Sequence, residues 1–414
     1  MTRALGIDFG TSNSAAGFMQ DGHPRLITFD GGNTTLPTTF FFDFETRKTL
    51  LGEPANQALL EGLEGRFMRA LKRVLGTGLM HEKRQILNTR VTFVDIIARF
   101  LRHIKTQAEI QTGLTFEHAV SGRPVVFHGT GDAREQQAED DLRDCYLAAG
   151  FTDVTFLAEP EAAAIADGAL VDGKGIGLIV DIGGGTSDFS LFRTHDGTVD
   201  ILANHGVRIG GTDFDRALSF AEVMPYFGKG SLLRDHFGPG RFPTPNAIFN
   251  DLATWEKIPF LYTAQTQRKV AEMSKQAEEP AKLSRLADVL RDELAHDIAF
   301  ATETGKIAAN RNADASAIDL SQIERNLTVP LPPSKLTEIL SPYGADMRKG
   351  VNDTLDMAGL QADQIDRVIY VGGSSLLNVV SDAVKSVTPN ADHSLSEVFT
   401  AVTDGLARAT NRPI

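Results

Sequence analysis

Two short stretches set a carboxylate against glycines and hydroxyl side chains. Residues 178–192 read Leu-Ile-Val-Asp-Ile-Gly-Gly-Gly-Thr-Ser-Asp-Phe-Ser-Leu-Phe. Asp181 closes an apolar run, Gly183, Gly184 and Gly185 follow, and Thr186, Ser187 and Asp188 lead into a second apolar run. The pattern predicts a strand, a tight turn and a strand. Glycines let backbone N–H groups converge without side-chain crowding, and such a concavity suits a phosphate oxyanion. A carboxylate at the strand end suits a hydrated Mg²⁺, which favours oxygen ligands and keeps waters. An ordinary Gly-rich hairpin would have the same composition, so the reading depends on recurrence.

The pattern does recur. In residues 5–18, Asp8 stands where Asp181 stands, Gly10 and Thr11 match Gly185 and Thr186, Ser12 matches Ser187, and Asn13 follows. A third apolar strand, from Val368, runs into Gly372, Gly373, Ser374 and Ser375. Internal repetition is a strong architectural signal. Two Asp-Gly-Thr hairpins and a late Gly-Gly turn suggest a duplicated fold closing on one nucleotide.

Other residues leave alternatives open. Lys72-Arg73 lies between apolar residues; either one cation turns inward or both form a solvated pair. Glu159, just before Pro160 where a strand meets a helix, is either a ligand or water-positioning acid or an ordinary first-turn acid favoured by the helix dipole. Gly210 and Gly211 bring backbone close to a ligand or simply open a helix capped by Thr212 or Asp213. Glu303, Lys306 and Asn310 fall three and four apart on one helix face; an uninformative surface ion pair has the same spacing.

The elements that must hold these residues alternate along the chain. Strands are expected over 5–18, 24–29, 38–44, 118–127 (broken by Gly122 and Pro124), 154–157, 201–207 and 327–333. Helices are expected near 52–62, 94–110, 132–149, after Pro160, within 284–310, at 336–339 and 343–358, at 379–387 and at 395–409. Ala401, Gly405 and Ala409 recur every four residues, a spacing that permits close helix crossing. Phe40, Phe41 and Phe42 should fill a core. Residues 228–260 are broken by glycines and prolines but carry aromatics, including Trp255, and read as a folded insertion. With 414 residues, 42% of them hydrophobic, the chain can build two domains. The expected boundary falls between 173 and 174, giving domains 1–173 and 174–414. The second contains the insertion and a C-terminal helix that packs back between the two.

A net charge of −13 argues against a nucleic-acid groove. The single cysteine, Cys145, excludes an internal disulfide and is expected as a packed free thiol. With no signal segment and no apolar run long enough to span a bilayer, a cytoplasmic protein without membrane contact is expected.

Together these residues resemble the nucleotide-binding domain of the heat-shock protein 70 family, within the actin-like ATPase superfamily. Residues 6–14 resemble its first phosphate motif and residues 181–188 its second. Residues 159–164 resemble the first connecting helix, residues 371–375 the adenosine motif, and residues 401–407 the second connecting helix. The resemblance spans almost the whole chain and is nearest to short bacterial members without a peptide-binding domain. It implies an α/β actin-like ATPase fold of two duplicated ribonuclease H-like domains closing on a nucleotide cleft. It also implies ATP or ADP with Mg²⁺ and a monovalent cation such as K⁺.

The roles follow from the resemblance. Asp8 and Asp181 would hold Mg²⁺ through waters, and Asp188 would help hold K⁺. Gly10, Thr11, Ser12, Asn13, Gly183, Gly184, Gly185 and Thr186 would cradle phosphates. Lys72 would be the catalytic lysine, Glu159 would position the attacking water, and Thr186 would act at the terminal phosphate. Pro124 resembles a proline that links nucleotide to domain motion; the arginine that should follow it is not assigned to Arg134. Gly210, Gly211, Glu303, Lys306, Asn310, Gly372, Gly373, Ser374 and Leu376 would surround the adenosine and neighbouring phosphates. Two positions depart from the family pattern: Asn310 replaces a serine, and Leu376 replaces an arginine that stacks on adenine. Losing that cation–π contact forfeits about 0.5–2 kcal/mol, or roughly 2- to 30-fold in affinity.

The expected function is a slow Mg²⁺-dependent ATPase acting as a chaperone-like switch, monomeric, with an unidentified protein client or co-chaperone. The usual peptide-binding domain is not expected, since the sequence ends after the last nucleotide-domain helix. Alternatives are a sugar-type small-molecule kinase, a filament-forming actin-like protein, and a nucleotide-dependent scaffold that does not hydrolyse.

Overall fold

The N-terminal hairpin is built from β1 (Ala4–Phe9) and β2 (Asn13–Gln20), paired antiparallel with Asp8 opposite Ala15. Leu5, Ile7 and Phe9 of β1 and Ala16 and Phe18 of β2 are buried, so the hairpin's register is fixed by its apolar face. The computed structural model describes residues 3–128, 132–167, 175–195, 198–235, 238–311, 316–395 and 400–411. The fold is mixed α/β. The chain forms two units, one of residues 1–207, 350–376 and 385–414, the other of residues 208–349 and 377–384.

In the first unit, β3 (His23–Leu26) and β4 (Leu36–Pro37) both pair with β2. A smaller sheet joins β5 (Thr39–Asp43), β6 (Thr49–Leu51) and β7 (Gly65–Arg69), with α1 (Glu53–Leu60) against it. Phe40 and Phe42 enter the main core, where Phe40 meets Phe100 with ring centroids 5.3 Å apart. Phe41 faces the opposite side, onto Ala55 and Ala58 of α1. The phenylalanine run is thus buried on both faces of its strand. After the short hairpin β8 (Arg84–Ile86) and β9 (Thr89–Val91), Thr92 and Asp95 form a reciprocal capping box that starts α2 (Phe93–Thr112). Ile97, Leu101, Ile104 and Ala108 are its buried stripe, as their spacing predicts. Then come β10 (His118–Arg123), α3 (Arg134–Ala149), β11 (Asp153–Ala158) and α4 (Glu159–Ala166). Gly122 does not break β10, contrary to expectation; it pairs with Leu157, and a Cβ there would come within 3.3 Å of Glu159 Cγ. The strand ends just before Pro124, which cannot donate to a ladder. Cys145 is buried in α3, and burial, chiefly, pushes its thiol far up, so it is inert.

The first sheet therefore runs β11-β10-β1-β2-β3. The second hairpin, β12 (Gly175–Ile182) with β13 (Ser187–His195), continues into β14 (Thr198–Val207), with Asp181 opposite Asp188.

The second unit opens with α5 (Gly211–Leu218), whose Asp213 accepts from the Gly210 N–H at 3.0 Å. The described residues of 228–260 are folded, as the aromatics implied: β15 (Leu232–Arg234) pairs with β16 (Arg241–Pro243), α6 (Asn246–Leu252) follows, and Trp255 packs edge-on against His296 and Phe300. Helices α7 (Ala264–Gln276), α8 (Pro280–Arg291) and α9 (Ala295–Asn310) come next, then β17 (Ala317–Asp319) with β18 (Thr328–Pro330). The two helices expected around residue 341 are one, α10 (Pro333–Ala358), which passes through Pro342. Pro342 removes one backbone donor, but Leu336, Leu340, Met347, Val351 and Leu355 form a continuous buried stripe that holds the helix across it.

The chain then adds β19 (Arg367–Val371), α11 (Asn378–Val387), β20 (Asp392–Ser394) and α12 (Ala401–Ala409). With β19 and β20 the second sheet runs β14-β13-β12-β19-β20. In the first unit α4 and α12 cross at the small residues the spacing marked: a Cβ on Gly405 would collide with the Ala162 carbonyl. Ala162, Ala163, Val402 and Leu406 share their core with Ile179 and Ile369 of the second sheet. The expected 173/174 boundary lies outside the described residues.

Candidate functional site

Within the first unit the two hairpin turns, the Lys72 segment and the start of α4 converge. The Asp8 and Asp181 carboxylates sit at the ends of β1 and β12, as their positions in the hairpins predict. Lys72 lies in a single 3₁₀ turn, Leu71–Val74, entered through Ala70 in the left-handed region (φ 58°). Its Nζ is 2.7 Å from Glu159 Oε1, and both side chains are nearly withdrawn from solvent. This resolves the Lys72-Arg73 alternative: Lys72 turns inward. Arg73 reaches the other way, and its guanidinium occupies the space that a Cβ on Gly185 would need. Sequence reasoning marked the basic pair but not this second contact.

The carboxylates share one field. Burial first, then repulsion from Glu159, raises Asp8 to about 7, partly offset by Lys72. Burial and the Glu159 charge raise Asp188 to about 6, against a hydrogen bond from Thr186. Asp181 is raised well above the carboxylate range by burial and by Glu159, Asp188 and Asp8. Desolvation disfavours the Lys72 ammonium, but Glu159, Asp8 and Asp181 outweigh it and raise its pKa. Four acids around one paired lysine make a site short of positive charge.

The donor set fits a hydrated divalent cation. Among the described residues no group of three or more acids, histidines or cysteines is close enough to grip a metal directly. Mg²⁺ commonly binds through one or two carboxylates and retains its waters, which matches Asp8 and Asp181. Gly372, with φ 78°, abuts this centre: a Cβ there would lie 2.9 Å from Asp181 Oδ1. The pairing of β19 beside β12, with Val371 opposite Asp181, brings it there. Gly373 is exposed, while Ser374 and Leu376 are half-buried beyond it. Around the turns, Ser12 approaches Gly184, where a Cβ would lie 2.5 Å from Ser12 Oγ. Thr11 is half-buried, and Asn13 and Thr186 are exposed.

The remaining predicted residues belong to the second unit. Lys306 is buried and its Nζ is 2.7 Å from Asp215 Oδ1 on α5, so its pair is not a surface one. Glu303 is exposed. Asn310 accepts from the Asn378 backbone N–H at 2.8 Å and clips the start of α11 to α9. Gly210 and Gly211 open α5. Asp215 and Asn378 had no distinguishing sequence signal, because their partners are remote in the chain.

A protein-family model described as Hsp70 protein matches residues 4–226, more than half of the chain. The chain belongs to the Hsp70 family. The Hsp70 match contains Asp8, Lys72, Glu159, Asp181, Asp188 and both glycine turns, and it stops before residues 228–260. No described helix of this Hsp70-family chain is long and apolar enough to cross a membrane.

Proposed function

We propose that the chain is a Mg²⁺-dependent ATPase that works as a nucleotide-controlled, chaperone-like switch. The observation that carries this reading is the Lys72–Glu159 pair among Asp8, Asp181 and Asp188, beside two glycine turns. Both sheets share one strand order and one pattern of parallel and antiparallel neighbours. That supports a duplication; in this reading the two halves are ribonuclease H-like domains, residues 1–173 and 174–414, that would close on ATP. Compactness groups both sheets in one unit, whereas duplication divides them; packing and ancestry need not coincide.

In this reading water attacks the γ-phosphorus, the bond to the bridging oxygen of the β-phosphate breaks, and ADP and phosphate leave. Such transfer depends on positioning and charge neutralisation. Lys72 hydrogen-bonds γ-phosphate oxygens, and Glu159 orients the water and holds Lys72 in place. N–H groups of residues 10–13 and 183–186 cradle phosphates, with Thr11 and Thr186 adding hydroxyls. Asp8 and Asp181 would hold Mg²⁺ through waters, and the bound ion would supply charge neutralisation at the phosphates; Asp188 would serve K⁺. Lys306, Glu303, Asn310 and Leu376 flank the adenosine, and Gly210, Gly211, Gly372, Gly373 and Ser374 leave room for it. The switch is monomeric and cytoplasmic and acts on a protein client or co-chaperone.

Calorimetric titration with ATP in Mg²⁺ and K⁺, beside phosphate release, tests this. Saturable binding with slow release is expected. Lys72→Ala should cut release about 10²- to 10³-fold while ATP still binds. No binding at millimolar ATP would sink the proposal. The second reading is a nucleotide-dependent scaffold without turnover. Binding without release would select it.

A further inference from the structure

We propose that Asp141, a buried carboxylate on α3, is a positioning residue that sets Lys72 for phosphoryl chemistry by holding the segment 71–81. The inference rests on the ATPase reading for its kinetic consequence and on geometry for its structural one. Lys72 stands in one 3₁₀ turn, a conformation with little stability of its own. Ala70, entering it, is an alanine in the left-handed region (φ 58°), which residues other than glycine adopt only at a cost. Something outside the turn must therefore hold it.

Leu71, Leu75 and Met80 are buried and fix the segment's depth, but apolar contacts are non-directional. Direction comes from polar contacts to α3 and to the chain just before it. Asp141 is fully buried and receives three donors: the Gly76 N–H at 2.8 Å on one oxygen, and His81 Nε2 at 2.9 Å and Gln137 Nε2 at 2.7 Å on the other. His128 Nε2 donates to the Leu75 carbonyl at 2.7 Å. Gly76 has φ 74°, and a Cβ there would lie 2.7 Å from the Arg134 carbonyl and 2.8 Å from His128 Nε2. Glycine alone lets the segment sit this close to α3. The bonds bracket the far end of the turn: Leu75 and Gly76 follow Lys72 by three and four residues. A buried carboxylate that loses its donors, or donors that lose the carboxylate, leaves unsatisfied groups. The segment would then shift, and a displacement of about 1 Å at a catalytic group costs on the order of 10²-fold in rate.

The test uses full-length Asp141→Ala, Asp141→Asn, His81→Ala and His81→Gln, with Asp140→Asn on the exposed side of α3 as control. Each is read by steady-state phosphate release, by ATP affinity and by hydrogen exchange of peptides covering 71–81. Asp141→Ala should lower kcat roughly 10- to 100-fold while KM and ATP affinity stay within about threefold, and exchange should rise over 71–81 but not in β1 or α2. Asp141→Asn, which keeps an acceptor for Gly76, should recover part of the loss. His81→Gln, which keeps a donor, should exceed His81→Ala. Unchanged kcat with unchanged exchange would overturn the proposal, as would a loss spread equally over KM and global exchange. If Asp141→Ala does not fold, the half-exposed His81 pair decides the matter. If wild-type protein releases no more phosphate than Lys72→Ala, the ATPase reading has failed. Local exchange over 71–81 then decides the positioning role separately.

Discussion

The turn after β1 closes on itself, whereas the turn after β12 is shaped by residues from elsewhere. Both place four residues, 10–13 and 183–186, between the last paired residues of their hairpins, Phe9 with Ser14 and Ile182 with Ser187. In the first, a Cβ on Gly10 would collide with the Asn13 carbonyl, so glycine is required by the turn's own backbone. Ser12 and Asn13 are also tied to the neighbouring chain, through Thr38 N–H to the Ser12 carbonyl at 2.8 Å and through Asn13 opposite Pro37. In the second, a Cβ on Gly183 would meet nothing closer than 3.7 Å, while Gly184 makes room for Ser12 and Gly185 for Arg73. Similar sequences thus serve different ends: the first turn's glycine keeps the turn's own backbone, and two of the second turn's glycines make room for side chains from elsewhere, Ser12 and Arg73.

The largest expected effect is on stability. Gly10→Ala should destabilise the protein by about 1–3 kcal/mol, the usual range for a forced overlap, read as a lower urea midpoint. A neutral result would erase the contrast. Next is the response to pH without ligand. Asp8 at about 7 and Asp188 at about 6 lie above their unfolded values, so the folded state holds more protons. Stability should therefore fall as pH rises from about 4 to about 7. Melting scans should show that fall, Asp8→Asn should flatten it, and Mg²⁺ should stabilise more at pH 8 than at pH 5, because the ionised carboxylates attract it. Gly185→Ala should leave the urea midpoint nearly unchanged, since a flexible arginine can move, but weaken ATP binding several-fold, because the displaced arginine disturbs the turn proposed to cradle the phosphates. Gly183→Ala should change stability by less than about 1 kcal/mol, the smallest effect, since it neither overlaps neighbours nor needs a positive φ.

Leu376→Arg sharpens the adenosine side. If leucine weakens base binding, arginine should tighten ATP roughly 2- to 30-fold; no change would mean that base affinity does not depend on this position.

The hairpins, the α2 stripe and the small residues of α12 were legible in the sequence because each rests on local periodicity or local turn chemistry. Gly122 and Pro342 were misread for one reason: breaking residues were weighed by propensity, while pairing with Leu157 and the stripe from Leu336 to Leu355 overrode it. Asp8 and Asp181 could be named from their place in the two repeats, and Asp188 from the family resemblance. Their shared field could not, because repulsion and desolvation depend on distances that sequence does not encode.

The sequence by itself determined the two Asp-Gly-Thr hairpins, the paired Lys72-Arg73 and Glu159 at the mouth of a helix. These are features of residue type and short spacing. Only the tertiary structure decided that Lys72 turns to Glu159 and Arg73 to Gly185, that Lys306 is committed to Asp215 and Asn310 to Asn378, and that Asp141 holds the lysine segment. Each of those choices joins residues far apart in the chain. Such a contact forms only when a neighbouring element supplies the matching donor, acceptor or open space.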